Sequence, residues 1–234
     1  MNFLKAEWRK LAIINYEIDP EILFKYLPEG TELDFYQGKC YVSVVGFMFL
    51  NTRLLGLPIP FHRNFEEVNL RFYVKKKEGL EWKRGVVFIR EIVPKPALSF
   101  IANSVYKEHY STMPMKNTIR EKDRELLIQY SWKDKSWHSI KITAENQPLS
   151  MESDSEFEFI TEHYYGFTKT ENKTSEYEVC HPKWDWYSVK NYQLKINFKK
   201  LYGNNFEGLN HQKPVSVMLA EGSEISVKTK KYTS

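Results

Sequence analysis

A chain of 234 residues with 42% hydrophobic and 15% aromatic content can bury a substantial core, which excludes a disordered segment and suits one large β-rich domain. The net charge of +4 is mild, and the lysines sit among acids, as in Lys75-Lys-Lys-Glu78 and Arg120-Glu-Lys-Asp-Arg-Glu125, a pattern of solvated turns that argues against a nucleic-acid partner. Only two cysteines, a start without an apolar h-region and no apolar run of membrane-spanning length lead us to expect buried free thiols, a cytoplasmic protein and no membrane partner.

Leu11 to Ile18 reads as the first strand, with Leu11, Ile13 and Asn15 opposite Ala12, Ile14 and Tyr16. Asp19-Pro20 then predicts a short helix, the aspartate as N-cap and the proline at the first helical position. Ile22, Leu23, Tyr26 and Leu27 form its apolar stripe, and Pro28-Glu-Gly30 ends it. Tyr41 to Phe49 and Gly85 to Val93 are apolar on both faces, as strands packed on two sides should be. Between them, Glu67 to Val74 alternates strictly. Lys75 to Arg84 reads as the loop joining that strand to Gly85–Val93 in an antiparallel pair. Pro94 and Pro96 stop the second strand, and Leu98, Ile101, Ala102 and Val105 follow at helical spacing.

Leu126 to Trp132 and Trp137 to Ala144 predict a hairpin turned by Lys133-Asp-Lys135. Ser153-x-x-Glu156 is a candidate capping box before Phe157, Ile160 and Tyr164, with a stop at Gly166. Val215 to Ala220 and Glu224 to Thr229 read as a last hairpin around Glu221-Gly-Ser223. No repeat or linker divides the chain, so residues 1–234 are expected to form one domain.

The Glu67–Val74 stretch is the most informative. Glu67, Asn69, Arg71 and Tyr73 share one face, and Val68, Leu70, Phe72 and Val74 the other. An acid, an amide, a guanidinium and a phenol in register can neutralise one another in a closed cavity and still offer hydrogen bonds to a small ligand. An ordinary surface strand with its polar face in water gives the same alternation, and both arrangements stay open.

The stretch also resembles a known signature. Phe65-Glu-Glu-Val-Asn-Leu-Arg-Phe-Tyr-Val74 is similar to the corresponding segment of the YqjF-like family, a bacterial group of conserved proteins of unknown function. Asp19-Pro20 with Leu27-Pro28, Gly46-Phe47, Gly85-Val-Val-Phe88, Glu162-His-Tyr-Tyr-Gly166 and Ala220-Glu-Gly-Ser223 match in the family's order along nearly the whole chain. The resemblance implies the fold of acetoacetate decarboxylase. The fold class expected is therefore β-rich α+β, a single antiparallel β-barrel-like domain with a few short helices. The chemistry is left open.

Familiar catalytic and cofactor signatures are missing. The six histidines show no pairing at metal-ligand spacing on a helix, and Cys180 and His181 are adjacent, so no metal is expected. No Gly-rich loop precedes a helix, so no cofactor is expected, and no Gly-x-Ser-x-Gly elbow marks a serine hydrolase. Acetoacetate decarboxylase works through a lysine Schiff base. Here the matching region, Asn103 to Lys116, places Tyr110 or a neighbour at the lysine position and has no Lys-Lys pair. Lys107 and Lys116 are the nearby amines.

A polar strand face inside a barrel must be paired internally or meet a ligand. Glu67 and Arg71 lie about 13 Å apart along the strand, too far to pair directly. Arg90, on the strand expected next door, is then a candidate partner for Glu67, leaving Arg71 to hold an anionic or carbonyl oxygen. Tyr41, Tyr73 and Tyr110 would supply amphipathic walls, with Asn69 among the ligand-binding groups. A buried ion pair that only fixes strand register is the competing account. Two functions follow: binding of a small organic ligand, anionic or carbonyl-containing, or an enzyme (lyase or hydrolase) on small oxo or carboxylate compounds. In the second, Glu67 is the acid or base, Arg71 the oxyanion clamp, and Lys107 or Lys116 a candidate amine.

Overall fold

Alternating and doubly apolar runs become strands throughout, and most strands extend well past their apolar centres. The computed structural model describes residues 2–58, 60–106, 109–170 and 173–233. Its first half contains β1 (Asn2–Glu17), β2 (Thr31–Leu33), β3 (Tyr41–Leu54), β4 (Leu57–Pro58), β5 (Phe65–Glu78) and β6 (Glu81–Val93). Helix α1 (Pro96–Tyr106), β7 (Tyr110–Thr112), β8 (Met115–Lys122), β9 (Glu125–Lys133) and β10 (Trp137–Leu149) follow. Helix α2 (Glu156–Thr161), β11 (Tyr165–Lys169), β12 (Thr174–Cys180), β13 (Trp186–Lys195), α3 (Phe198–Tyr202), β14 (Ser216–Lys228) and β15 (Lys231–Thr233) complete the order.

Among the described residues, the strands join in one sheet ordered β15-β12-β11-β6-β5-β3-β1-β14-β13-β10-β9-β8. A further β12–β14 pairing closes β1, β3, β5, β6, β11, β12 and β14 into a ring. Most pairs are antiparallel, β5 and β6 among them. β6, however, runs parallel to both β7 and β11, so the expected antiparallel barrel is corrected to a ring of mixed orientation. The physical reason lies in the connection: α1 is a crossover that returns the chain to β6 in the same direction, which a hairpin cannot do.

The ring has two apolar faces. Val68, Leu70, Phe72 and Val74 point outward from β5, each with no exposed surface, into a core shared with Ile128, Tyr130 and Ile142 of the β8–β10 layer. Burying each such side chain stabilises the fold by about 1.5–3 kcal/mol. Gly46 on β3 lets that layer approach: a Cβ there would lie 2.9 Å from the Tyr130 ring. Inside the ring a second cluster gathers Phe47, Phe49, Phe65, Tyr73 and Trp184.

Five local expectations are corrected. The charged stretch Lys75–Arg84 is strand up to a tight Gly79-Leu80 turn, with Lys76 directly opposite Lys83. Like charges so placed repel, and buried Glu176 offsets this by accepting from both, at 3.4 and 2.9 Å. After Asp19, whose carboxylate accepts from Glu21 N–H, the chain makes two 3-10 turns instead of an α-helix. Pro28 disfavours helical geometry at Leu27 and cuts the segment short. The cap of α2 is Ser155, not Ser153: its Oγ accepts from Glu158 N–H at 3.1 Å, and α2 ends at Thr161, before Gly166. Both cysteines are free, but only Cys40 is buried; Cys180 is half-buried.

The fifth correction concerns the last hairpin. Glu221-Gly-Ser223 is not a turn but part of one continuous strand, β14, paired along β1. Lys10 and Gly222 both adopt positive φ there, 55° and 81°, and Lys10 Nζ reaches Glu221 at 2.6 Å and Tyr187 Oη at 2.8 Å. A Cβ on Gly222 would lie 2.0 Å from the Trp8 carbonyl oxygen, so only glycine fits. Gly222→Ala should therefore lower stability by at least about 2 kcal/mol, read as a fall in the urea midpoint; an unchanged midpoint would contradict the close approach.

Candidate functional site

Period-two alternation places the odd residues of β5 on the inside of the ring, where Phe65, Glu67, Asn69 and Arg71 line a partly open cavity of about 150 Å³. On one side stands β3, with Phe49 opposite Phe65 and Phe47 opposite Glu67. On the other stands β6, with Glu91 opposite Asn69 and Phe88 opposite Arg71. The Phe49 and Phe65 rings stack with centroids 4.7 Å apart, so one end of the cavity is apolar. Trp8 Nε1 and Thr52 Oγ1 lie on the lining toward this end, buried and without a hydrogen-bond partner among the described residues.

Glu67, 2% exposed, is held by two donors: Asn69 Nδ2 at 3.0 Å on one oxygen and Tyr110 Oη at 3.1 Å on the other. Tyr110 reaches it because β7 pairs with β6, placing Tyr110 beside Glu91. Asn103 of α1 completes the fixture, accepting from Tyr110 N–H at 2.8 Å and donating to its carbonyl at 3.0 Å. Arg71 turns toward α2, where Nη2 donates to the Ile160 carbonyl at 3.3 Å and the guanidinium lies 5.6 Å from the Tyr73 ring centre. Its Nε is buried and has no partner among the described residues.

Glu91, His163 and His181 line the cavity but escaped sequence reasoning. Glu91 was hidden in a strand read as apolar on both faces; a lone acid among Ile89, Ile92 and Val93 is the signal that could have found it. His163 sits inside the quoted Glu162–Gly166 segment, but nothing local ties it to Asp34. In the fold, Nε2 lies 3.1 Å from Asp34 Oδ2, which also accepts from Arg84 Nε at 2.7 Å. Burial pushes the Asp34 carboxyl up, but the hydrogen bonds from His163 and Arg84 outweigh it and hold it below the usual range. Burial drives His163 down to about 4 against the pull of Asp34, with the Arg84 and Arg71 charges adding to the drop. Burial likewise brings His181, stacked on Trp184 in the same lining, to about 4.

Three expected site residues lie elsewhere. Arg90 does not reach Glu67. It stands opposite Leu70, beside a bulge that inserts Ile89, and its guanidinium donates to the Leu201 carbonyl at 2.6 Å and to Ser111 Oγ at 2.9 Å. Tyr73 shares the inward face but lies past the cavity, its hydroxyl 2.8 Å from Ser43 Oγ and its ring against His163. Tyr41 packs on Phe159 instead of lining the cavity. Lys116 is exposed, with Nζ 4.4 Å from the Trp137 ring centre. Lys107 lies outside the described residues, and among the described residues lining the cavity none is a lysine. No group of three His, Cys, Asp or Glu is placed to hold a metal among the described residues, and no described helix is long and apolar enough to cross a membrane.

Comparison with known proteins places this geometry in a family and a fold. The DUF2071 family, described as an uncharacterized conserved protein, matches residues 5–224. The uncharacterized protein YqjF of Bacillus subtilis (strain 168) is 30% identical over 186 residues, covering 77% of this chain and 74% of the relative. Among solved structures, acetoacetate decarboxylase from Legionella pneumophila is similar at 15% identity with a TM-score of 0.66, covering 99% of this chain and 87% of the other. An acetoacetate decarboxylase-like enzyme from Sphingomonas wittichii RW1 is similar at 10% identity and a TM-score of 0.67, covering 100% and 94%. The enduracididine biosynthesis enzyme MppR, solved with pyruvate, is similar at 10% identity and a TM-score of 0.69, covering 100% and 91%. The fold is thus acetoacetate-decarboxylase-like.

The two histidines carry a pH signature. Each has a folded pKa near 4 against about 6.5 when unfolded. Between those values the unfolded chain takes up protons that the folded chain refuses, so stability falls as pH falls through that window. The depressed Asp34 adds a further loss at still lower pH. His163 alone should account for about 3 kcal/mol of the decline. Urea midpoints measured from pH 7 to pH 4.5 should fall steeply for the wild type and less steeply for His163→Gln; parallel slopes would contradict the buried neutral imidazole.

Proposed function

The chain belongs to the DUF2071, YqjF-like family of uncharacterized conserved proteins, and from that premise we propose that the cavity inside its ring binds a small organic compound through an anionic or carbonyl oxygen. The observation that carries the reading is Arg71, whose Nε is buried on the cavity wall without a partner among the described residues. A guanidinium keeps its charge at any physiological pH, and an unmet N–H in a dry site is costly, so an incoming oxygen gains both charge and a donor. The cavity volume of about 150 Å³ matches what an apolar void needs to hold a benzene-sized guest. A neighbour of the same fold, MppR, was solved in complex with pyruvate, a compound of this kind.

Glu67 supports a second reading. Its carboxyl group is buried in the cavity and positioned by two donors, an arrangement suited to moving a proton on a bound oxo compound while Arg71 stabilises the oxygen. We favour binding because the covalent route of a Schiff base needs an amine whose pKa is lowered by burial or a cationic neighbour. Lys116 is exposed, its Nζ against the Trp137 ring, and does not reach the cavity lining.

Isothermal titration with pyruvate tests the binding reading: Arg71→Leu should weaken affinity about 10- to 100-fold, and equal affinity in the variant would remove the role of Arg71. Borohydride treatment with pyruvate or acetoacetate should add no covalent mass. Lys116→Ala should fold normally and bind as the wild type does. A trapped adduct located by peptide mass at Lys107 or Lys116 would promote the enzyme reading.

A further inference from the structure

Among the described residues, three buried polar atoms on or beside Arg71 have no hydrogen-bond partner, and together they describe a ligand. Arg71 Nε is a donor by necessity. Asn69 Nδ2 donates to Glu67, whose other oxygen already accepts from Tyr110, and this fixes Asn69 Oδ1 as a free acceptor. His163 Nε2 faces Asp34, so the proton of a neutral imidazole sits on Nε2, and Nδ1 is left as a lone-pair acceptor. Asn69 and His163 are 1% and 7% exposed, so water does not readily satisfy either atom. The groups also belong together in space. Asn69 and Arg71 are alternate residues on the inward face of β5, and Arg71 donates to the carbonyl of Ile160, three residues before His163 in the chain. The Arg71 charge is felt at the imidazole.

A 2-oxo acid would meet Arg71 but could offer nothing to the two acceptors. We propose that the compound bound here is a hydroxy acid of about benzene size, whose carboxylate or carbonyl oxygen accepts from Arg71 while its hydroxyl donates to His163 Nδ1, with Asn69 Oδ1 as a second acceptor on the same wall. Glu67 and Glu91, also on the lining, disfavour a second anionic group, so the rest of the compound is uncharged and lies toward Phe49 and Phe65. This inference rests on the reading of the cavity as a small-molecule site.

Titration of the full chain with 2-hydroxybutanoate and 2-oxobutanoate, which share a carbon skeleton, isolates the hydroxyl. The hydroxy acid should bind at least about tenfold tighter. His163→Phe should erase that preference by weakening the hydroxy acid, with little change for the oxo acid. Nitrogen NMR of the wild type gives a readout independent of any variant: the unprotonated Nδ1 resonance of His163 should move on addition of 2-hydroxybutanoate and not of 2-oxobutanoate. Equal affinities that still depend on Arg71, or a preference that survives in His163→Phe, would overturn the hydroxy-acid inference and leave the cavity reading standing. Binding of neither acid, or binding indifferent to Arg71→Leu, would overturn both.

Discussion

The structure depends on the burial of Glu67. A carboxyl group 2% exposed and stripped of partners would cost several kcal/mol, more than most single contacts can return. Its two donors are therefore structural requirements, and they explain features that look unrelated. Asn69 is supplied by the strand itself, two residues on. Tyr110 has to be brought from outside the sheet, and α1 followed by the short parallel strand β7 achieves this, with Asn103 locking the backbone of Tyr110 in place. The departure from an antiparallel architecture at β6 and the satisfaction of the buried acid are one arrangement seen from two sides.

Close packing and the cavity are divided between the two faces of the same strands. Outward-facing Val68, Leu70, Phe72 and Val74 are fully buried against the β8–β10 layer, where close packing is possible because Gly46 has no side chain to hold Tyr130 away. Inward-facing residues instead line a cavity, which forfeits dispersion contacts and leaves polar atoms without hydrogen-bond partners among the described residues. The ring is thus braced from outside. Its interior is free to keep charged groups, two low-titrating histidines and aromatic walls in a space that a tightly packed core would have closed.

Periodicity in this chain marks strands reliably but not the turns between them. Lys75–Arg84 looked like a loop because its charges suit water, yet Glu176 from a distant strand makes it a hairpin arm. Glu221-Gly-Ser223 looked like a turn because glycine often marks one, yet here it relieves a clash with the Trp8 carbonyl inside a continuous strand. Proximity along neighbouring strands points Arg90 at Glu67; the extra residue Ile89 changes the facing of β6 between Phe88 and Glu91 and sends Arg90 elsewhere. Asp34 and His163, 129 positions apart, could not have been joined by any local pattern.

By itself the sequence determined that Glu67, Asn69 and Arg71 share one face, that four apolar residues share the other, and that β-rich structure runs the length of the chain. Those are consequences of a two-residue period, and a period is a local property. The side of the sheet that became an interior was decided only when β12 met β14 and closed the ring. The partners of Glu67 and His163, and the bulge that turned Arg90 away, were settled in the same tertiary assembly. Burial, pairing and the titration of buried groups depend on what surrounds a side chain in space, and for these residues that surrounding is built from strands far apart in the chain.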